Sequence, residues 1–240
     1  MPARSENRRG LSSSGKLALL RRHPLFGPLP PEALERLSSY ATTRAVARGE
    51  SIFVKGDDGN SLYAVCEGTV KISVPSAEGK DAVFNLVGEG EIFGEIALLD
   101  GRPRTADATA MTDCELMVID RRDFLELVRS QPEIALNIME VLCARLRHTS
   151  EQVEDVLFLD LPGRLAKVLL QLAAKSKRSD AGKIAITQRE IGQMIGMSRE
   201  STNKQLRDWE HRNWVRLERG GIVVLEPDAL AAVARARSED

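Results

Sequence analysis

The most constraining stretch of this 240-residue chain runs from Glu133 to Phe158, 26 residues without a Gly or a Pro. Those two residues are the ones that interrupt helices, so their absence permits a single helix of roughly 40 Å at 1.5 Å per residue. Such a rod divides the chain into an N-terminal and a C-terminal part. Pro132 sets its start, and the run Leu159-Asp160-Leu161-Pro162-Gly163 reads as a breaker and hinge. Ile138, Leu142, Arg145, Thr149, Gln152 and Val156 recur at alternating four- and three-residue steps, the spacing of a seam between paired helices. The middle of that seam is polar, and polar groups there need partners to offset their desolvation. Either they pair with one another and fix register, or something bound between the helices satisfies them.

The two sides of the rod carry different patterns. Residues 1–16, rich in Ser, Arg and Gly, have too little apolar character to repay ordering and are expected to form a flexible tail. Short helices are expected at Leu17 to Arg22 and at Pro31 to Tyr40. From Thr42 to Asp120 short Val-, Ile-, Phe- and Tyr-rich runs alternate with Gly and Asp clusters, as in SIFVKGDDG and SLYAVCEG, which predicts a compact antiparallel barrel or roll. After the hinge an amphipathic helix is expected from Arg164 to Lys175, then a polar loop from Ser176 to Lys183. Two short strands are expected around Gly220-Gly221 in WVRLERGGIVVLEP. The fold class is therefore α+β, with a tail at 1–16, a roll with flanking helices at 17–132, a dimerisation helix at 133–158, a hinge at 159–163 and a helical domain with a wing at 164–240.

Composition narrows the function classes. A net charge of −1 gives no global basic signal, so any nucleic-acid claim must rest on a local motif. Aromatic residues make up 4%, too few for single-strand binding by base stacking. Cys66, Cys114 and Cys143 lie far apart, without metal-ligand spacing, which fits reduced thiols in a cytoplasmic protein. The chain start has no signal-peptide core, and no apolar run is long enough to span a bilayer, so no membrane association is expected. His23, His148 and His211 are scattered and no nucleophile motif appears, so an enzyme is not expected.

Two motifs carry chemistry. In FGEIALLDGRPRTADATA, Gly94 allows a backbone turn to approach a phosphate closely, and the carboxylate of Glu95 can accept from a ribose hydroxyl. Ten residues on, Arg104 and Thr105 offer a guanidinium and a hydroxyl suited to a phosphodiester. Downstream, Thr187-Gln188-Arg189-Glu190 has capping-box spacing and starts a helix with Ile191, Met194 and Ile195 inward. Gly196 permits a turn, and Ser198 caps a second helix that begins at Arg199, with Leu206 and Trp209 facing the core. A helix, a short Gly-containing turn and a capped helix form a helix-turn-helix signature. From Arg189 to Arg219 there are seven Arg or Lys against five Asp or Glu, a local positive excess that the net charge hides. Arg199 and Lys204 stand near the exposed start of the second helix.

The first motif resembles the phosphate-binding cassette of cyclic-nucleotide-binding domains. The chain from about Leu25 to Pro227 resembles the cyclic AMP receptor proteins of the CRP–FNR family. The resemblance implies a cyclic-nucleotide-binding β-roll, a dimer helix and a winged helix-turn-helix. It assigns Glu95 to the ribose, Arg104 and Thr105 to the cyclic phosphate, and Gly94 with Ile96 to the backbone of the turn. In ARLRHTSEQV it places Arg145, Thr149 and Ser150 at the purine, the Ser coming from the partner subunit. GQMIGMSREST resembles the recognition motif, with Thr187, Ser198, Arg199, Glu200, Thr202 and Lys204 as the DNA-binding set. Arg199 would bind a guanine edge and Glu200 would accept from a cytosine amine. Lys204 departs from the Arg of the family's founding member, and a point donor cannot make a bidentate fork.

The expected function is thus a homodimeric, cyclic-nucleotide-dependent transcription regulator on double-stranded DNA with inverted half-sites resembling TGTGA. RNA polymerase is the expected downstream partner. Cyclic AMP is favoured and cyclic GMP possible, because Thr105 resembles the hydroxyl residue of cyclic-GMP-selective kinase domains; no metal is expected. The alternatives are a constitutive DNA-binding protein and a family member sensing another signal, although the cysteine cluster of an iron–sulfur sensor and a suitable haem ligand pair are both missing.

Overall fold

The run SLYAVCE, Ser61–Glu67, lacks the polar alternation of a half-exposed strand because both of its faces are covered. Successive side chains of a strand point to opposite faces. Here Leu62 and Ala64 pack into a cluster with helices, whereas Tyr63 and Val65 pack into the interior of a roll. The computed structural model in which this is seen describes residues 13–75, 81–176 and 183–235. The described chain forms two compact units: the first runs to Ala144 and the second from Arg145, with the first three residues of the strand Asp81–Val87 grouped with the second.

In the first unit, β1 (Thr42–Val46), β8 (Cys114–Asp120), β3 (Ser61–Glu67) and β6 (Ile92–Phe93) form one four-stranded sheet in that order. The second sheet has β2 (Ser51–Phe53), β7 (Asp107–Ala110), β4 (Val70–Pro75) and β5 (Asp81–Val87). Val46, Ile52, Val70, Phe93, Ala108 and Leu116 fill the space between them. The outer face of the first sheet is covered by α1 (Ser13–Arg22), α2 (Pro31–Tyr40), α4 (Arg121–Ser130) and the start of α5 (Glu133–Phe158), through Leu20, Leu37, Phe124, Ile134 and Ile138, with Phe26 from the turn between α1 and α2. The short α3 (Glu95–Asp100) comes directly after β6. This is the antiparallel roll that the strand pattern predicts.

Three expectations change. The tail expected at 1–16 lies outside the described residues only as far as residue 12. Ser13 to Lys16 are the first turn of α1, held because Lys16 Nζ donates to the carbonyl of Ala41 at 2.7 Å and Leu20 is fully buried. The helix break is shorter than 159–163, since α6 runs Leu161–Ser176 and only Leu159 and Asp160 are non-helical. Asp160 acts as an N-cap, its Oδ1 accepting from the N–H of Gly163 at 2.7 Å. Pro162 sits in the first turn, where a missing N–H costs nothing. Asp155 and Lys167, from α5 and α6, pair at 2.6 Å.

The third change concerns the seam. Ile138 is 3% exposed in the core of the first unit and Leu142 packs against that core. The exposed stripe of α5 is instead Leu136, Met139, Cys143, Leu146, Ser150, Val153 and Leu157, again at alternating three- and four-residue steps.

In the second unit α6 packs against α9 (Pro227–Arg235), a helix beyond the wing that the sequence pattern does not disclose. A three-stranded sheet runs β10 (Val215–Glu218), β11 (Gly221–Val224) and β9 (Lys183–Ile184), so the expected two-strand wing gains a third strand. Leu165, Leu169, Ile191, Leu206, Trp209, Ile222 and Leu230 form the interior. The loop expected from Ser176 to Lys183 lies outside the described residues between 177 and 182.

One buried titratable group in the first unit makes stability depend on pH. His23 is 8% exposed, its Nδ1 accepts from the N–H of Leu25 at 3.2 Å, and its ring leans on Phe26. Burial pushes its pKa down from 6.5 to about 4, with the backbone of Glu91 opposing. The folded chain therefore holds it neutral while the unfolded chain takes up a proton below 6.5. Its contribution is complete above that value and is lost as pH falls towards 4, by linkage roughly 3 kcal/mol in all. Urea unfolding at about pH 7 and about pH 4.5 is expected to show a larger loss for the wild type than for His23→Gln. Equal losses would remove His23 from the account.

A candidate anion pocket and nucleic-acid interface

The first motif folds around a glycine. Gly94 has φ 82°, a left-handed conformation that suits a residue without Cβ, and it caps α3. A Cβ built on it would stand 2.6 Å from Arg104 Nη1 and 3.2 Å from the carbonyl oxygen of Ser61, so the turn has no room for a side chain. Glu95 opens α3 and is 1% exposed. Gly59 closes the same corner, because a Cβ there would fall 2.1 Å from that of Ala97.

Arg104 is 4% exposed, unusual for a charged side chain. Its Nη1 donates to the carbonyl of Gly94 and its Nη2 to that of Ser61, each at 2.7 Å. The guanidinium lies 4.3 Å from the ring centroid of Phe53 and 5.6 Å from that of Tyr63. Its Nε, also buried, has no hydrogen-bond partner. Backbone bonds clip the residue in place, its N–H donating to Asp57 and its carbonyl accepting from Gly56. Burial pushes the guanidinium pKa down from its ordinary value, while Tyr63, Glu95 and Asp57 hold it up. Two of its five N–H groups donate to carbonyls, and a buried cation of this kind matches an anion in chemistry.

Gly94, Glu95 and Arg104 are thus brought to one corner of the roll. Ile96, 43% exposed, and Thr105 stand at the surface beside them. Phe53, Ser61 and Tyr63, which hold Arg104, carry no signal in the sequence. They come from β2 and β3, and no local spacing links them to residue 104. Arg145, Thr149 and Ser150 belong to the portion of α5 in the second unit. Arg145 is half-buried, Thr149 and Ser150 are exposed, and the Ser150 hydroxyl donates to the carbonyl of Leu146 at 2.9 Å.

In the second unit the helix-turn-helix forms as its caps dictate. Thr187 and Glu190 complete a capping box at the start of α7 (Gln188–Ile195), and Gly196, φ 72°, ends it. Ser198 Oγ accepts from the N–H of Ser201 at 3.1 Å and starts α8 (Arg199–His211). The two helices meet at Gly192, where a Cβ would lie 2.8 Å from the Met197 carbonyl oxygen and 2.9 Å from Thr202 Oγ1. This contact corrects the assignment of Thr202. It is fully buried and its hydroxyl donates to the carbonyl of Ser198 at 2.9 Å, so it faces the neighbouring helix and not a groove. Arg199, Glu200 and Lys204 are exposed. Arg207 extends that face, one turn beyond the motif in which the sequence marks the others; its Nε donates to Asn203 Oδ1 at 3.3 Å.

A roll with a buried arginine at a glycine turn, joined by a long helix to a winged helix-turn-helix, defines the architecture of a DNA-binding regulator. The comparisons agree: residues 43–131 match the cyclic nucleotide-binding domain and residues 163–233 the Crp-like helix-turn-helix domain. The CRP-like cAMP-activated global transcriptional regulator of Mycobacterium tuberculosis is 35% identical over 221 residues, 90% of this chain and 99% of that protein. The cyclic AMP receptor protein of Thermus thermophilus is 34% identical over 88% of this chain and 96% of that one. The solved catabolite activator protein of Thermus thermophilus aligns over 88% of this chain and 98% of its own, with 34% identity and a TM-score of 0.51. A global regulator of Xanthomonas campestris shares the fold with a TM-score of 0.71 at 22% identity, covering 81% and 99% of the two chains. This chain belongs to the CRP–FNR family of DNA-binding transcription regulators, a family of regulators and not of enzymes. Among the described residues no helix is long and apolar enough to cross a membrane.

Proposed function

We propose that this chain is a homodimeric transcription regulator that binds an inverted-repeat DNA site when a cyclic nucleotide occupies its roll, with cyclic AMP as the principal effector. The observation that carries the reading is the buried guanidinium of Arg104 held beside the Gly94 turn with its Nε–H unspent. Arg104 and Thr105 receive the cyclic phosphate, Glu95 the ribose hydroxyl, and the turn at Gly94 and Ile96 contributes backbone. For the purine the reading rests on sequence resemblance, which favours Arg145, Thr149 and Ser150. Cyclic AMP is preferred because the relatives of Mycobacterium and Thermus are named for it. The exposed hydroxyl of Thr105 keeps cyclic GMP as the second candidate.

On DNA, Arg199 pairs with a guanine edge, Glu200 accepts from a cytosine amine and Lys204 donates as a point charge. Thr187 and Ser198, at the exposed starts of α7 and α8, suit phosphate oxygens. Two copies join through the exposed stripe of α5, matching two half-sites about a dyad. The bound regulator then acts on RNA polymerase in the cytoplasm.

The test is fluorescence anisotropy of a labelled duplex carrying inverted TGTGA half-sites, titrated with protein alone, with cyclic AMP and with cyclic GMP. Cyclic AMP is expected to tighten binding by about 5- to 150-fold, the usual span of an allosteric coupling. Equal affinity in all three titrations would replace this reading with a constitutive DNA-binding protein, and tightening by cyclic GMP alone would reassign the effector.

A further inference from the structure

The roll holds Arg104 with aromatic rings as well as carbonyls. Phe53 ends β2, which pairs with β7 through a bulge between Ser51 and Phe53. A bulge re-aims the side chains around it, and here the Phe53 ring lies under the guanidinium at 4.3 Å. Its ring is 5.7 Å from that of Tyr63 and 5.9 Å from that of Phe93, and those two stack at 5.0 Å with 14° between planes. Phe93 immediately precedes Gly94. The rings therefore tie the arginine loop to the glycine turn, two segments that sequence alone shows only as ten residues apart.

We infer that Phe53 is a positioning residue for anion binding, holding the Arg104 guanidinium charged, desolvated and aimed by a cation–π contact. The inference rests on the nucleotide reading above and extends it to a residue that touches no ligand. A buried cation needs electrostatic support before its anion arrives. Glu95 and Asp57 supply part of it through space, whereas a carboxylate seated on the N–H groups would have to be displaced by the incoming phosphate. The negative face of an aromatic ring supplies it without using an N–H and without neutralising the charge. Each terminal nitrogen spends one N–H on the carbonyl of Gly94 or Ser61, the ring covers the guanidinium face, and the Nε–H is buried without a hydrogen-bond partner. The positive charge is therefore kept in one orientation at a site only 4% exposed.

A leucine at position 53 fills similar space but has no quadrupole. Its effect mixes packing with electrostatics, so the decisive series keeps the volume. In the full chain, Phe53 is replaced in turn by 4-fluoro-, 3,5-difluoro- and 3,4,5-trifluorophenylalanine, each fluorine withdrawing charge from the ring face. Cyclic AMP affinity is measured by calorimetry, with a melting curve for every variant. Affinity is expected to fall stepwise with fluorine number, to roughly 2- to 30-fold below wild type when the contact is lost, and Phe53→Trp is expected to retain it. Melting temperatures should not track the series. A flat affinity series in a wild type that binds cyclic AMP would overturn this inference alone. A wild type that binds no cyclic nucleotide would overturn the functional reading, and this inference with it.

Discussion

Arg104→Leu is expected to lower cyclic AMP affinity by about 10²- to 4 × 10³-fold. The figure comes from the cost of removing one partner of a buried charge pair, about 3–5 kcal/mol, with tenfold in affinity for each 1.4 kcal/mol. Stability without ligand should move much less, because two effects oppose. The carbonyls of Gly94 and Ser61 lose their donors, at about 1–3 kcal/mol each if they stay dry. Against that, a charge only 4% exposed no longer has to be desolvated. The two properties separate in a thermal-shift experiment. At a nucleotide concentration 100 times the wild-type Kd, the wild type gains about 2.7 kcal/mol, and a variant weakened 100-fold gains about 0.4 kcal/mol. A variant that still shows the full ligand shift would mean that the anion binds elsewhere.

What the sequence discloses here is what is local. The capping box at Thr187, the Ser198 cap and the left-handed glycine at 196 are decided within four residues, and each forms where its spacing predicts. Helix boundaries at Pro31, Tyr40, Glu133 and Phe158 come from Pro placement and uninterrupted stretches in the same way. The pairing of Gly94 with Arg104 is visible because both lie in one motif. The aromatic support for Arg104 is not, since Phe53 and Tyr63 reach it by strand pairing across some fifty and forty positions.

Thr202 shows the same limit in another form. Ser201 before it is exposed and Asn203 after it half-buried, and the missing side chain of Gly192 on the facing helix explains why Thr202 is buried. Asp160 reads as part of a breaker because Pro and Gly come soon after it. In the fold it is the cap that lets a new helix begin at once. The exposed stripe differs from the expected seam by phase and not by period. α5 carries two apolar stripes, and a seven-residue repeat cannot say which of them the roll's own core will take. Ile138 goes to that core, so a second copy pairing through α5 is expected to use the other.

The other stripe gives the second large effect. Placing Glu at both Leu146 and Val153 is expected to turn a dimer into a monomer and to weaken binding to the two-half-site duplex by about 10²- to 10⁴-fold. Leu146 is 68% and Val153 56% exposed in the single chain, so neither substitution removes core packing, and fold stability should be preserved. In a parallel pair each would place like charges on facing positions in an apolar seam, where both Coulomb repulsion and desolvation oppose association. Loss of the dimer does not touch Arg199, Glu200 or Lys204. It removes the high local concentration at which the second half-site meets its reader, and the whole avidity gain goes with it. Ala144→Glu, also exposed but off the stripe, adds the same charge and should remain dimeric with unchanged DNA affinity. Sedimentation velocity gives the mass, and anisotropy on duplexes with one and two half-sites gives the affinities. The double variant should bind both duplexes with the weak affinity that the wild type shows for one half-site. A double variant that still sediments at twice the chain mass would show that the copies meet through another surface and that the apolar stripe of α5 serves some other partner.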